Sequence, residues 1–226
     1  MDETAYTTKS PRDRSRVYAF LSALCLYQPN PEFIENSRRV SQALKDFPGM
    51  DRVHGFFREN EDKPPEEVTK GLIGSFTRIF RSTSPPVIPP YESIYRGEKL
   101  YGESTMSVLK EYRSFGLELD EDFKGEPPDY LGFELDFMRF LCEKETEAFE
   151  SGDLRTLQTI LEAEIRFLGE HLLTWIHMFH DVVSRFDDGF YQGWIEFIRH
   201  WLVQDHRTLA RGLKGKILKG SCKDIL

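Results

Sequence analysis

Apolar residues recur at three- and four-residue spacing along most of the chain, which predicts a succession of amphipathic helices and very little strand. Val17, Phe20, Leu21 and Leu24 form the first stripe. Ser10 and Pro11 ahead of it read as an N-cap followed by proline at the first helical position. Pro29-Asn30-Pro31 ends that helix and starts a second carrying Phe33, Ile34, Val40 and Leu44, and Pro48-Gly49 breaks the pattern again before Val53, Phe56 and Phe57. A fourth helix is expected from Pro64-Pro65, with Val68, Leu72, Ile73, Phe76, Ile79 and Phe80 on one side, ending before Ser84.

Between Ser84 and Tyr91 four prolines deny a helix its hydrogen bonds and impose an extended loop. Val108, Leu109, Tyr112 and Phe115 mark the next helix, with Gly116 placed for a left-handed C-terminal cap. The helix after Asp129 is apolar on nearly every side. Leu131, Leu135, Met138 and Cys142 share one stripe, and Phe133, Phe137, Phe140 and Leu141 fill others, which marks it as central. After Ser151-Gly152-Asp153 a long stripe from Leu154 to Phe186 reads either as one helix or as two with a bend near Gly169. Asp187-Asp188-Gly189 then turns into a last helix with Phe190, Trp194, Ile198 and Trp201. Beyond Asp205 the residues Arg207, Arg211, Lys214, Lys216, Lys219 and Lys223 read as a basic tail over 206–226.

These elements predict an all-α, single-domain bundle of about eight to ten helices over residues 11–205, after a disordered N-terminus over 1–10. The proline-rich stretch 84–90 is where two lobes would divide, although short connections favour one domain.

Composition narrows the function. A content of 39% hydrophobic residues with 18 Phe supplies a sizeable core. The net charge of -8 argues against nucleic acid as partner, because phosphate contacts need clustered Lys and Arg. Cys25, Cys142 and Cys222 are far apart and odd in number, which suits a reducing compartment better than a disulfide framework. No apolar run reaches the ~20 residues of a membrane span, so the chain reads as cytoplasmic.

Two proline-initiated patches carry the candidate chemistry: Pro89-Pro90-Tyr91-Glu92-Ser93-Ile94-Tyr95, and the segment from Glu126-Pro127-Pro128-Asp129-Tyr130 to Met138. Each sets aromatic rings and carboxylates on backbone that proline stiffens, which suits a surface gripping a basic, partly apolar peptide. Residues 116–150 hold twelve acids against three bases, so the acidic excess of the chain lies around the second patch. Such a run is most simply a solvated face, but Glu126 and Asp129 flank the prolines, where a fixed carboxylate can take an arginine in a bidentate pair. One helical turn would bring the rings of Tyr91 and Tyr95 to the same side.

No phosphate loop, dinucleotide fingerprint, nucleophile elbow or His-Glu-x-x-His motif occurs. His171, His177 and His180 raise the rival reading of a metal-dependent helical-bundle enzyme. Against it, no histidine has a glutamate three residues before it, the spacing a di-iron bundle needs. No cofactor, metal or catalytic residue is expected.

At its two patches, and at Phe167-Leu168-Gly169-Glu170-His171-Leu172-Leu173-Thr174-Trp175, the sequence resembles the TorD/DmsD family of chaperones, the redox enzyme maturation proteins, over roughly residues 15 to 205. The nitrate-reductase chaperones are more distantly similar. The resemblance implies an all-helical, non-enzymatic protein. It would bind the precursor of a molybdopterin-containing oxidoreductase of the DMSO reductase family, recognise its twin-arginine signal peptide, and hold the apo-enzyme for cofactor insertion before export. It implies a peptide surface of Phe76, Ile79, Phe80, Pro90, Tyr91, Asp129 and Tyr130, with Glu92, Tyr95 and Glu126 belonging to the matched motifs. Asp129 and Glu126 are expected to face the arginines. The family pattern has histidine where this chain has Tyr130, which stays neutral at pH 7 with an ordinary pKa of about 10. A monomer or homodimer without stable membrane insertion is expected. An acidic adaptor for another basic protein is the remaining alternative.

Overall fold

The computed structural model describes residues 10–82, 88–119, 125–185 and 189–219, with side chains through residue 213. Helix starts follow the local chemistry. The first helix, α1 (Pro11–Leu26), opens on Ser10, whose hydroxyl accepts a hydrogen bond from the Asp13 amide, and α2 (Pro31–Ala43) opens on Asn30, whose side chain accepts from the Phe33 amide. Helix α3 (Met50–Glu59) starts after Gly49, and α4 (Pro65–Phe76) runs on into a π-helical turn, Thr77–Arg81. A single turn, α5 (Glu92–Tyr95), precedes α6 (Glu103–Ser114), after which Gly116 takes φ +73°, the left-handed cap its position predicts.

The central helix is α7 (Leu131–Ser151). Helix α8 (Leu154–Phe167) follows, opened by Asp153 accepting from the Thr156 amide, and passes through a second π turn, Leu168–Leu172, into α9 (Leu173–Val183). Sequence left open one helix or two. The backbone stays helical throughout, with its irregularity at the turn that holds Gly169. Helix α10 (Phe190–Lys219) closes the fold. It corrects the expected tail, because the helix continues past Asp205 to Lys219 and keeps Leu209 buried. Basic residues near a helix C-terminus are favoured by the helix dipole, so a charged composition there does not end the helix.

Among the described residues there is no strand, only an isolated antiparallel bridge between Tyr91 and Tyr130, and the fold is all-α in one domain. Expectations for residues 1–9, for the prolines within 83–87 that would divide two lobes, for the acidic segment 120–124 and for Asp187-Asp188 lie outside the described residues.

Helix α7 lies along α1, with Leu131, Leu135, Met138, Leu141 and Cys142 fully buried. Gly132 is what permits the approach: a Cβ there would stand 2.7 Å from the Leu26 side chain. Helices α3 and α10 meet still more closely, since a Cβ on Gly193 would lie 2.6 Å from the Gly49 carbonyl oxygen. An aromatic column from α10, formed by Phe190, Trp194, Phe197 and Trp201, packs against Phe20, Phe47 and Phe56. Each such ring contributes roughly 1.5–3 kcal/mol when withdrawn from water.

One buried charge cluster ties four helices together. Arg14 of α1 donates to Glu145 of α7 (2.6 Å) and Glu164 of α8 (3.0 Å), and its Nε lies 2.7 Å from Asp205 of α10. The Tyr18 hydroxyl donates to the same Asp205 (2.7 Å). Glu145 belongs to the acid-rich stretch that sequence alone reads as solvated or peptide-facing. Here it serves the interior.

Candidate functional site

The fold brings the two proline-initiated patches together. The Glu92 amide donates to the Asp129 carbonyl (3.1 Å) and the Leu131 amide to the Pro90 carbonyl (2.9 Å), so the patches pair as two short extended segments. Prolines on both sides hold the backbone extended, and the pairing satisfies the polar groups they leave. The turn α5 and the long helix α7 both leave from this bridge.

Burial divides the expected residues into two groups. Asp129 is fully buried, and its carboxylate is committed inside: Oδ2 accepts from the Ser93 amide (2.8 Å) and Oδ1 from the Thr105 hydroxyl (2.9 Å). Tyr130 is fully buried as well, its hydroxyl donating to the Cys25 carbonyl (2.6 Å). Burial pushes its phenol above the ordinary range, which keeps it neutral. Glu92 is buried against His171 Nδ1 (2.8 Å) and Arg96 (2.7 Å). Beside it Glu134 is fully enclosed, and burial, then the charges of Glu92 and Asp129, raise its carboxyl well above the usual range.

Phe76, Ile79 and Phe80 also lie in the core, with Phe80 against Phe179 and Tyr191, and Pro90 is buried at the bridge. The expected surface position of these residues is therefore corrected. Proline marks extended backbone, but here that backbone is covered by α1, α6 and α7. The rings of Tyr91 and Tyr95 also part company, Tyr91 against Tyr130 and Tyr95 stacked on Trp175.

Glu126 and Tyr91 remain partly open. Glu126 Oε2 accepts from the Tyr91 hydroxyl (2.7 Å), and Oε1 accepts from Arg81 Nη1 (3.1 Å). Burial, and next the bond to Glu126, raise the Tyr91 phenol, so it stays a neutral donor. The sequence pattern does not single out Arg81. It closes the π turn after α4, donates Nη2 to the Leu26 carbonyl (2.9 Å), and lies 5.4 Å from the Tyr130 ring centroid.

Leu26 also lines a groove of about 370 Å³ between α1, the segment after α6, and α7. Ala19 and Ala23 leave room on one wall; Phe133, Phe137 and Phe140 form the other, with Glu118 and Asp136 among the lining residues. Nothing in the sequence pattern separates these phenylalanines from ordinary core positions.

The three histidines of the rival reading have separate surroundings: His171 is buried against Glu92, His177 is exposed, and His180 lies beside Asp181 (3.2 Å). Among the described residues no group of three or more His, Cys, Asp or Glu is arranged to hold a metal ion. No helix among them is long and apolar enough to cross a membrane.

Residues 34–181 match the family described as nitrate reductase delta subunit. The chain belongs to that family. Its curated relatives include the chaperone protein TorD of Vibrio cholerae serotype O1 (strain O395), 26% identical over 207 residues that cover 87% of this chain and 91% of that protein. The chaperone protein TorD of Photobacterium profundum is 33% identical over 137 residues, 58% of this chain and 61% of that protein. A selenate reductase assembly chaperone protein of Thauera selenatis is 31% identical over 104 residues, 44% and 52% of the two chains. The family match includes both patches and the segment Phe167–Trp175, the residues that carry the resemblance to TorD/DmsD chaperones.

Proposed function

We propose that this protein is a cytoplasmic, non-enzymatic chaperone for the precursor of a molybdopterin-containing oxidoreductase. It binds the twin-arginine signal peptide and the apo-enzyme before cofactor insertion and export. The observation that carries this reading is the meeting of two surfaces at Leu26. On one side the Glu126 carboxylate, braced by Tyr91 and paired within the chain with Arg81, is partly exposed and suited to a charge-assisted contact with a guanidinium. On the other an apolar groove opens between α1 and α7. A twin-arginine signal supplies those two chemistries in the same order, cationic groups followed by an apolar stretch. Glu118 adds a carboxylate to the groove lining, whereas Asp136 there is already paired with Arg139 (2.6 Å), which lines the same groove.

Within this reading Glu126 keeps its expected role, while Asp129 and Tyr130 take structural ones. Glu126 meets the arginine, Tyr91 orients Glu126, and Asp129 and Tyr130 hold the bridge that positions both. The names of the relatives, chaperone protein TorD and a selenate reductase assembly chaperone protein, support a chaperone, and the second supports a reductase as the class of client.

Affinity purification from the native host tests the proposal. A molybdenum reductase subunit still carrying its N-terminal signal should be recovered, and deletion of that signal should reduce recovery sharply. Recovery of an unrelated basic protein would favour the adaptor reading, and stoichiometric iron, manganese or zinc in the purified chain would favour the helical-bundle enzyme.

A further inference from the structure

We propose that the corner formed by Glu126, Tyr91, the Leu26 carbonyl and the Tyr130 ring is a guanidinium-binding site, held in the free chain by its own Arg81 and yielded to an arginine of the partner. The contacts of Arg81 define the site. Nη1 donates to the Glu126 carboxylate (3.1 Å), Nη2 donates to the Leu26 carbonyl (2.9 Å), and the cation lies over the rings of Tyr130 (5.4 Å) and Phe76 (5.8 Å). A planar fork with ring faces beneath it uses all four features. An ammonium offers a point charge and no plane, so the corner selects arginine over lysine.

Arg81 is placed to leave. It is the last residue of the π turn, and Ser82 beyond it is already extended, so moving its side chain breaks no further helical turn. The ion pair is partly wet, with side-chain exposures of 27% for Arg81 and 32% for Glu126, which makes it weak and open to exchange. Replacing one arginine by another conserves the charge and both hydrogen bonds. The carboxylate is thereby never left unpaired, and the partner's gain is reduced by what Arg81 gives up. The identity of the partner rests on the proposed function; the existence of the site does not.

Two measurements separate these. First, Arg81→Ala is expected to lower the melting temperature, and guanidinium at about 10 mM is expected to restore part of the loss by refilling the corner. The wild type and the double variant Arg81→Ala/Glu126→Gln should show no such gain. A gain of equal size in the double variant, or none in Arg81→Ala, overturns the site. Arg81→Ser, which also vacates the corner, provides the same comparison if the alanine variant folds poorly. Second, a peptide with two adjacent arginines before an apolar run should bind Arg81→Ala roughly two- to fivefold more tightly than wild type, the equivalent of one weak ion pair. The gain should vanish when Glu126→Gln is added. Arg78→Ala, which removes a charge from the same helix end, should give less. Equal or weaker binding by Arg81→Ala overturns the placeholder role. Guanidinium rescue with no peptide binding by any variant supports the site and overturns the signal-peptide reading.

Discussion

Single residues at the bridge do structural work before they do any binding. Asp129 holds the Ser93 amide and the Thr105 hydroxyl at once, so Asp129→Ala leaves two buried donors without an acceptor. A loss of about 2–4 kcal/mol in urea unfolding is expected, with Asp129→Asn losing less because its carbonyl still accepts one bond. Tyr130→Phe removes only the bond to the Cys25 carbonyl and should cost about 1 kcal/mol in the same assay. Sequence located this region correctly as two motifs, since proline, aromatic and acidic residues concentrate there. It did not distinguish inside from outside. Glu126 and Asp129 are three residues apart with the same charge, and only the bridge to Tyr91 turns one inward and leaves the other half open. Arg81 was illegible because a lone arginine after Phe80 reads as the polar end of an apolar helix.

At the scale of elements, the starts of helices were legible and their packing was not. Ser10-Pro11, Asn30-Pro31 and Gly152-Asp153 encode their caps within a few residues, whereas the length of α10 depends on contacts far along the chain. Asp205 and Leu209 are held by α1 and the core, which no local pattern announces. The Arg14 cluster makes this dependence measurable. Burial raises the Glu164 carboxyl to about 8, opposed by Arg14 and reinforced by Glu145 and Asp205. A carboxyl whose folded pKa lies above its unfolded value retains its proton in the folded chain while the unfolded chain has lost it. Its contribution is complete at low pH and is lost as pH rises toward 8. Wild type should therefore lose stability between pH 6 and pH 8.5 in denaturant titrations, and Glu164→Gln should flatten that decline. The close approach of α3 and α10 gives a second test. Gly193→Ala sets a methyl group against the Gly49 carbonyl and should cost about 1–3 kcal/mol by thermal unfolding.

For the whole molecule, the proposed function calls for a partner with cationic groups ahead of an apolar stretch, to be met by Glu126 and the groove beside it, since Asp129 and Glu134 of the acid-rich stretch are buried. The charges act at long range and are screened, so affinity for such a peptide should fall as salt rises from 0.05 to about 0.5 M, while the apolar share persists. Composition supports only the expectation of a cationic partner. The adjacency of carboxylate and groove at Leu26 required α1, the end of α4 and the second patch to be folded together. Calorimetric titration of a twin-arginine peptide, and of the same peptide with both arginines replaced by lysine, against wild type and Glu126→Gln tests the central claim most directly. The expected result is binding of the arginine peptide at least about tenfold tighter than the lysine peptide, with that preference lost in Glu126→Gln. Equal affinity of wild type for the two peptides, or an arginine preference that survives in Glu126→Gln, would contradict it.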